Sequence, residues 1–398
     1  MGINRSNHFR PKILRRYLGA LSIYLLLIFT LGGCSHTRPY YRKDIATAPR
    51  SVDVSADQLR ARLLLIGDAG SPREGEPVLQ TLAEWVNMYP QKTMAVFLGD
   101  NIYPDGIPGV KDPAGQEEAK ARISAQVNTV KGTAARALFI PGNHDWARGH
   151  PDGFRILKRQ EDFVNILLPG TDNFLPRDGC PGPVALDWEG VRIIVLDTQW
   201  WLHRLDRFEN PCALNDSSAV LAELTRLLES AGDREVVVVG HHPLASRGPH
   251  GGFFTWKDHL FPLTNLSNAA WLPLPVIGSL YPIGRRYWFK TRQDIFSQTY
   301  GDMINRLNRT FSARKPLIYA AGHDHSLQVM EGASMAEYTL VSGAGSEAKA
   351  TEVGHKKETL FAHQHPGFMV VDFLNDGRVL LQVAEPGANQ TLLAHWLR

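Results

Sequence analysis

Five short apolar runs, each closed by a glycine and then by a polar residue, constrain this chain more than any other feature. Arg62-Leu63-Leu64-Leu65-Ile66 runs into Gly67-Asp68-Ala69-Gly70, and Met94 to Leu98 runs into Gly99-Asp100-Asn101-Ile102-Tyr103. Ala137 to Ile140 leads to Pro141-Gly142-Asn143-His144-Asp145, Glu235 to Val239 to Gly240-His241-His242, and Leu317 to Ala321 to Gly322-His323-Asp324-His325. Short apolar runs bounded by glycine read as buried strands. Between them, Pro77 to Tyr89 sets Leu79, Leu82 and Trp85 at helical spacing, and 116–130 and 217–231 also read as helices. Alternation of strand and helix predicts a layered α/β architecture. In an open α/β sheet the strand ends meet at one rim, where ligands bind. The five polar turns therefore converge.

The converging side chains are two Asp, a Tyr, an Asn and three His. Hard oxygen donors mixed with imidazoles suit iron, manganese or zinc rather than a thiolate site. Two histidines spaced as His323-Asp324-His325 can address neighbouring ions. The end of the chain, Tyr338 to Ser342, Phe368 to Phe373 and Val379 to Ala384, is all strand-like, so sheet packs on sheet. A length of 398 residues gives ample core. A net charge of +3, with no Lys/Arg tract interleaved with aromatics in the body of the chain, argues against a nucleic-acid partner. The phosphate-binding Gly-x-x-x-x-Gly-Lys-Ser/Thr loop is absent, which argues against ATP-driven transfer.

Taken in order, the five turns resemble the five motifs of the purple acid phosphatases, within the calcineurin-like metallophosphoesterases. Leu196-Asp197-Thr198, Val341-Ser342-Gly343-Ala344-Gly345 and Gly367-Phe368 are smaller echoes of the same pattern. The match looks like the small single-domain form of the family. The resemblance implies a four-layer α-β-β-α sandwich of two mixed sheets flanked by helices, spanning 61–398. It implies two metal ions, with Asp68, Tyr103 and His325 on the first, Asn143, His241 and His323 on the second, and Asp100 bridging. Many relatives carry Asp-x-His in the first motif; Gly70 stands at that His position here, and Tyr103 supplies the replacement donor. A phenolate favours Fe(III) at the first site, with Fe(II), Zn or Mn at the second. The implied reaction is hydrolysis of a phosphate ester, most simply a monoester, by a metal-bound hydroxide, with Asp100 and His144 as catalytic residues. A phosphodiesterase or lipid-phosphate phosphatase on the same site is the alternative. Asn143, His144, His242 and His250 are the expected substrate contacts, and Asp145 orients His144 or its loop. His363 and His365 read as a surface loop.

The N-terminus carries a separate message. Arg5, Arg10, Lys12, Arg15 and Arg16 precede an apolar run from Tyr17 to Leu31, then Gly32-Gly33-Cys34. A basic region, an apolar core and small residues before a cut site describe an export signal. Leu31-Gly32-Gly33-Cys34 resembles a bacterial lipobox. It implies a signal peptide over 1–33, lipidation of Cys34, a tether over 34–60, and a lipid-anchored location facing the periplasm. Ser35 favours the outer membrane. An uncleaved membrane anchor is the alternative, although the run is short for a full span. An exported compartment permits a disulfide between Cys180 and Cys212. No obligatory protein partner is evident; the expected partners are the phosphate ester and the membrane. Phe253 to Phe289, rich in Phe, Trp, Tyr and Pro but without clear periodicity, opens an insert near 253–310, and Gln293 to Asn308 after it reads as a helix. The plainest reading is an extra packed subdomain; a lid or wall over the pocket, a bilayer contact and an oligomer contact are the alternatives.

Overall fold

The computed structural model describes residues 38–45, 48, 50–168, 170, 172–203, 212–265, 270–288, 291–346, 350–388 and 390–398. The expected signal peptide, with Cys34 and Ser35, lies outside the described residues. The chain separates into a large body, His36–Gly252 with Thr291–Arg398, and a small unit that includes Phe253–Lys290.

Among the described residues the body contains fourteen strands. They are β1 (Tyr40–Tyr41), β2 (Leu59–Ile66), β3 (Thr93–Phe97), β4 (Arg136–Phe139), β5 (Val184–Trp188), β6 (Val191–Val195) and β7 (Glu235–Val239). The remainder are β8 (Ile318–Ala321), β9 (Leu327–Glu331), β10 (Tyr338–Ser342), β11 (Thr359–His363), β12 (Phe368–Leu374), β13 (Val379–Ala384) and β14 (Leu393–Trp396). They form an eight-stranded sheet, in the order β1-β11-β9-β10-β8-β7-β6-β5, and a six-stranded sheet, β14-β13-β12-β2-β3-β4. Both are mixed. The pairs β2–β3, β3–β4, β6–β7, β7–β8 and β8–β10 are parallel, and the flanking pairs are antiparallel.

The period of two along each strand decides the layering. Leu63, Leu65, Val96 and Leu138 of the six-stranded sheet share one core with Ile193, Val195, Val237 and Leu340 of the other, so the two sheets pack face to face. The alternate residues Leu64, Ile66, Phe97 and Phe139 pack with Val78, Leu82, Ile123 and Leu157 from the helices Pro77–Met88, Pro113–Val127 and Gly153–Leu167. On the far side, Ile194, Val236, Val238 and Tyr319 pack with Leu224, Tyr300 and Leu307 from the helices Ser217–Glu229 and Gln298–Phe311. The result is the expected four-layer α-β-β-α sandwich. Strands buried on both faces explain why their sequences read as continuous apolar runs.

Two helices begin elsewhere than the apolar spacing predicts. The second starts at Pro113 rather than Gln116, because the Asp112 carboxylate accepts from Gly115 N at 2.9 Å and caps it. The helix predicted from Gln293 starts at Gln298, capped by Ser297. Residues 293 and 294 are thereby released for the site described below. Part of the stretch expected as a tether is built into the body: Tyr40 and Tyr41 pair with Ala362 and Phe361, and Ile45 and Val54 are buried.

In the small unit, the helix Trp256–Leu260 opens on a capping box formed by Thr255 and Asp258. Gly278 lies against the His259 carbonyl, closer than any side chain would permit, and the helix Leu280–Tyr287 follows. This unit ends near 290 rather than 310, since the helix Gln298–Phe311 belongs to the body.

Candidate metal centre

Each polar turn leaves its strand sharply. Asp68, Asp100 and His323 adopt left-handed backbone with φ of +59°, +52° and +69°. Such conformations are costly for residues with a Cβ and collect at functional sites. The turns are stitched to one another. Asp68 N donates to Gly99 O at 2.9 Å, Gly70 N to Asp100 O at 3.0 Å, and Tyr103 N to Gly70 O at 3.0 Å. A Cβ on Gly70 would meet the backbone of Asp100, Asn101 and Ile102 at 2.5 Å. Position 70 therefore has no room for a side chain, and the segment occupying that space is the one that delivers Tyr103. Asp145 closes the other side. Its carboxylate accepts from Gly142 N at 2.8 Å, Asn101 N at 3.0 Å and Ile102 N at 3.2 Å, fixing the Asp100 turn to the Asn143 turn. Asp145 thus orients the loops and not the His144 ring.

The seven expected donors meet as two adjoining groups. In the first, Tyr103 Oη lies 2.9 Å from Asp68 Oδ1, 3.2 Å from Asp100 Oδ2 and 3.2 Å from His325 Nε2. In the second, Asn143 Oδ1 lies 3.1 Å from His241 Nε2 and 3.0 Å from His323 Nδ1. His241 Nε2 is also 3.4 Å from Asp100 Oδ1. Asp100 therefore turns one carboxylate oxygen to each group. One ligand atom from each of Asp68, Asp100 and His241 lies within 4.8 Å of the others, and the same holds for His241, His242 and His323.

The donor chemistry fits metal ions. Leu98 O sits 2.8 Å from His241 Nδ1, and Gln293 O sits 2.9 Å from His323 Nε2. A carbonyl only accepts, so those nitrogens carry a proton, and in the neutral rings, the form that binds a metal, His241 Nε2 and His323 Nδ1 are lone pairs. Both lone pairs point at an Asn143 oxygen that is itself an acceptor. In the first group two carboxylates, a phenol and an imidazole converge on one point. Buried acceptors facing acceptors call for a cation.

Electrostatics agree. Burial works against ionising Asp100, yet the neighbouring His241 and His144 hold its carboxyl well below the usual range. Burial and the charges of Asp68 and Asp100 push the Tyr103 phenol far up, so a bound cation is what would release its proton. Burial opposes a charge on His241, but Asp100 pulls it up to about 9. His323 is driven well down by burial and by His250 and its other histidine neighbours. Burial, followed by the charge of Asp100, raises Asp145 to about 7.

The remaining candidates separate by exposure. The side chains of His144 and His250 are about a fifth and a quarter exposed. The His144 ring lies 4.5 Å from Tyr103, and the His250 ring lies 4.1 Å from His323. They border opposite ends of the donor cluster. His144 Nδ1 meets Pro104 O, leaving Nε2 3.9 Å from Asp100 Oδ2. His250 Nδ1 meets Asp294 Oδ1 at 3.0 Å. His242 does not reach a substrate face. It is fully buried, with Nδ1 2.8 Å from Thr198 Oγ1 and Nε2 2.7 Å from Gln293 Oε1. His363 is not in a surface loop either; it ends β11, buried, and shares the Glu385 carboxylate with His365 at 2.6 and 2.9 Å. Cys180 and Cys212 form a disulfide, with Cα atoms 5.5 Å apart.

Gln293 escaped the sequence reading. Its carbonyl sets the His323 tautomer and its amide holds His242, yet it sits 30 residues before its partner with no local signal. Asp324 was visible in its motif but not its task, which is to accept from Ser246 Oγ and from His250 N.

Residues 61–272 match the family model of the calcineurin-like phosphoesterases. The last motif, at His323 and His325, lies beyond that span. Purple acid phosphatase 3 of Arabidopsis thaliana is 22% identical over 331 residues, 77% of this chain and 70% of that protein. Among solved structures, GAP50, described as the anchor in the inner membrane complex of Plasmodium, aligns with a TM-score of 0.53 at 17% identity, covering 84% of this chain and 87% of its own. The purple acid phosphatase PPD1 of yellow lupin (Lupinus luteus) also gives 0.53, at 10% identity, over 84% of this chain and 53% of its own. At such identities the two structures speak for the fold. The family model covers more than half of the chain, and the donor cluster lies at its strand ends: the chain belongs to the calcineurin-like phosphoesterases, hydrolases of phosphoric esters.

Proposed function

We propose that the chain is a dinuclear phosphomonoesterase of the purple acid phosphatase type. The observation that carries this reading is the Asp100 carboxylate, with one oxygen toward Tyr103 and the other toward His241. Asp68, Tyr103, His325 and Asp100 would hold the first ion, and Asn143, His241, His323 and Asp100 the second. The phenolate and carboxylates favour Fe(III) in the first position, and the nitrogen-rich set accepts Fe(II), Zn or Mn in the second. When bound, such ions polarise a phosphoryl group and bring the pKa of a water from ~15.7 toward ~7. The protein's own part is to orient and to move protons. His144, its Nδ1 held by Pro104 O, presents Nε2 to a phosphoryl oxygen or to the leaving oxygen. Water adds to phosphorus, the ester P–O bond breaks, and the leaving oxygen takes a proton. His250, held by Asp294, borders the opposite side and contacts the phosphate there.

Two further parts of the reading come from the sequence alone. The lipobox at Cys34 supports a lipid anchor facing the periplasm, with Ser35 favouring the outer membrane. The substrate is a phosphate ester, and no protein partner is required.

The test is an assay of the purified protein on a chromogenic monoester and a chromogenic diester, with and without chelator. Metal-dependent turnover of the monoester is expected. Faster turnover of the diester would replace the monoesterase with a diesterase, and no metal-dependent turnover of either would overturn the proposal. A visible absorption band from tyrosinate on Fe(III) is the matching spectroscopic result.

A further inference from the structure

The unit 253–290 is a tenth of the chain, yet it holds ten of the fourteen large apolar side chains that the described residues leave exposed. Trp271, Leu272, Val276, Ile277, Leu280 and Trp288 are each more than half exposed, Trp288 by 67%. A soluble surface seldom carries so much contiguous apolar sequence without a use for it. On the helix Leu280–Tyr287, the residues Leu280, Ile283 and Tyr287 recur at helical spacing and are exposed, while Pro282 and Gly284 are buried.

The charge is equally uneven. Lys257, Arg285, Arg286 and Lys290 stand against Asp258 alone. The Arg286 guanidinium lies 5.7 Å from the Tyr287 ring, and Lys257 Nζ lies 4.8 Å from the Trp271 ring. Basic groups therefore accompany indole and phenol rings, with aliphatic side chains beside them. Trp and Tyr favour the level of lipid headgroups, and amphipathic segments with Lys or Arg lie in that plane on anionic bilayers. The helices, of five and eight residues, are too short to cross a membrane.

We propose that the unit 253–290 docks on an anionic lipid bilayer, lying in the headgroup layer with its basic residues on lipid phosphates. A second copy of the chain fits poorly, since it would bring four basic residues onto four others. The proposal does not rest on the phosphatase reading or on the lipid anchor.

The test uses the full chain in vesicles with brominated acyl chains, which quench tryptophan at short range. The first 37 residues contain no Trp, so the quenched signal does not come from the apolar N-terminal run itself, and W271A/W288A, which keeps that run, is the control for chain held at the bilayer by it. Quenching is expected in phosphatidylglycerol-rich vesicles and not in phosphatidylcholine. The variant W271A/W288A should lose most of it. R285Q/R286Q should weaken docking on the order of tenfold in anionic vesicles. W396A removes an exposed Trp of the body and should change little. Equal quenching of the wild type and W271A/W288A overturns the proposal, as does quenching that ignores lipid charge. A lipid-free dimer abolished by W271A/W288A would overturn it in favour of self-association. Circular dichroism of each variant separates lost docking from lost folding.

Discussion

Gly70 and Tyr103 are tied to each other by the backbone between them, Gly70 N donating to Asp100 O and Tyr103 N to Gly70 O. Position 70 has no room for a side chain, because the backbone of Asp100 to Ile102 fills the space a Cβ would need, at 2.5 Å. The same backbone carries Tyr103 to Asp68 and His325. Gly70→Ala is therefore expected to destabilise the protein by about 1–3 kcal/mol through overpacking, and to weaken metal binding by displacing the Asp100 turn. Urea denaturation and metal titration check the two effects; an unchanged midpoint would show that the turns part easily. Tyr103→Phe separates ligand from scaffold. The ring still packs in its buried place, so the fold is expected to hold while first-site metal affinity falls by about tenfold or more. Loss of a visible absorption band with unchanged circular dichroism is the expected result, and a retained band would remove Tyr103 from the first site.

At the scale of elements, what was legible in the sequence depended on how local the cause was. The five strand ends were legible because each is an apolar run followed by a glycine, all within a few residues. Asp145 was legible only in part: Gly142 lies three residues away, but its other partners, Asn101 and Ile102, lie 44 and 43 residues away. The start of the helix at Gln298 was not, since residues 293 and 294 are taken by His323 and His250 from elsewhere in the chain. Neither was the burial of His242, which depends on Thr198 and Gln293, 44 and 51 residues away. The least legible feature is on β2 itself. Arg62 reads as the polar start of a strand, yet it is buried opposite Asp372 of β12, with Arg62 Nε 2.6 Å from Asp372 Oδ1. Removing one member of a buried pair leaves the other charge uncompensated. Arg62→Leu alone should cost about 3–5 kcal/mol, while R62L/D372L should recover much of that loss. Urea melts of the two variants decide it; equal losses would mean that the uncompensated Asp372 charge is not what destabilises the single variant.

For the whole molecule, the centre is the place where the two sheets are joined chemically as well as by packing. Asp68, Asp100 and Asn143 follow β2, β3 and β4 of the six-stranded sheet, while His241 and His323 follow β7 and β8 of the eight-stranded one. Ions held between them would tie the two rims. Without ions, three histidine rings, two carboxylates and a phenol are packed together with one another as partners for their charge. Metal that binds only the folded chain adds RT ln(1 + [L]/Kd), about 4 kcal/mol at a thousandfold excess over Kd. Chelation is therefore expected to lower the melting temperature by several degrees, with recovery on adding metal back. Asp100→Asn keeps the shape of that side chain but removes the charge that faces both groups. It should shrink the metal-dependent shift much more than it alters the melting temperature of the metal-free protein. Calorimetry of both proteins, stripped and reloaded, gives the comparison. An equal shift in the variant would mean that Asp100 does not join the two groups and that the sheets are held at this rim by packing alone.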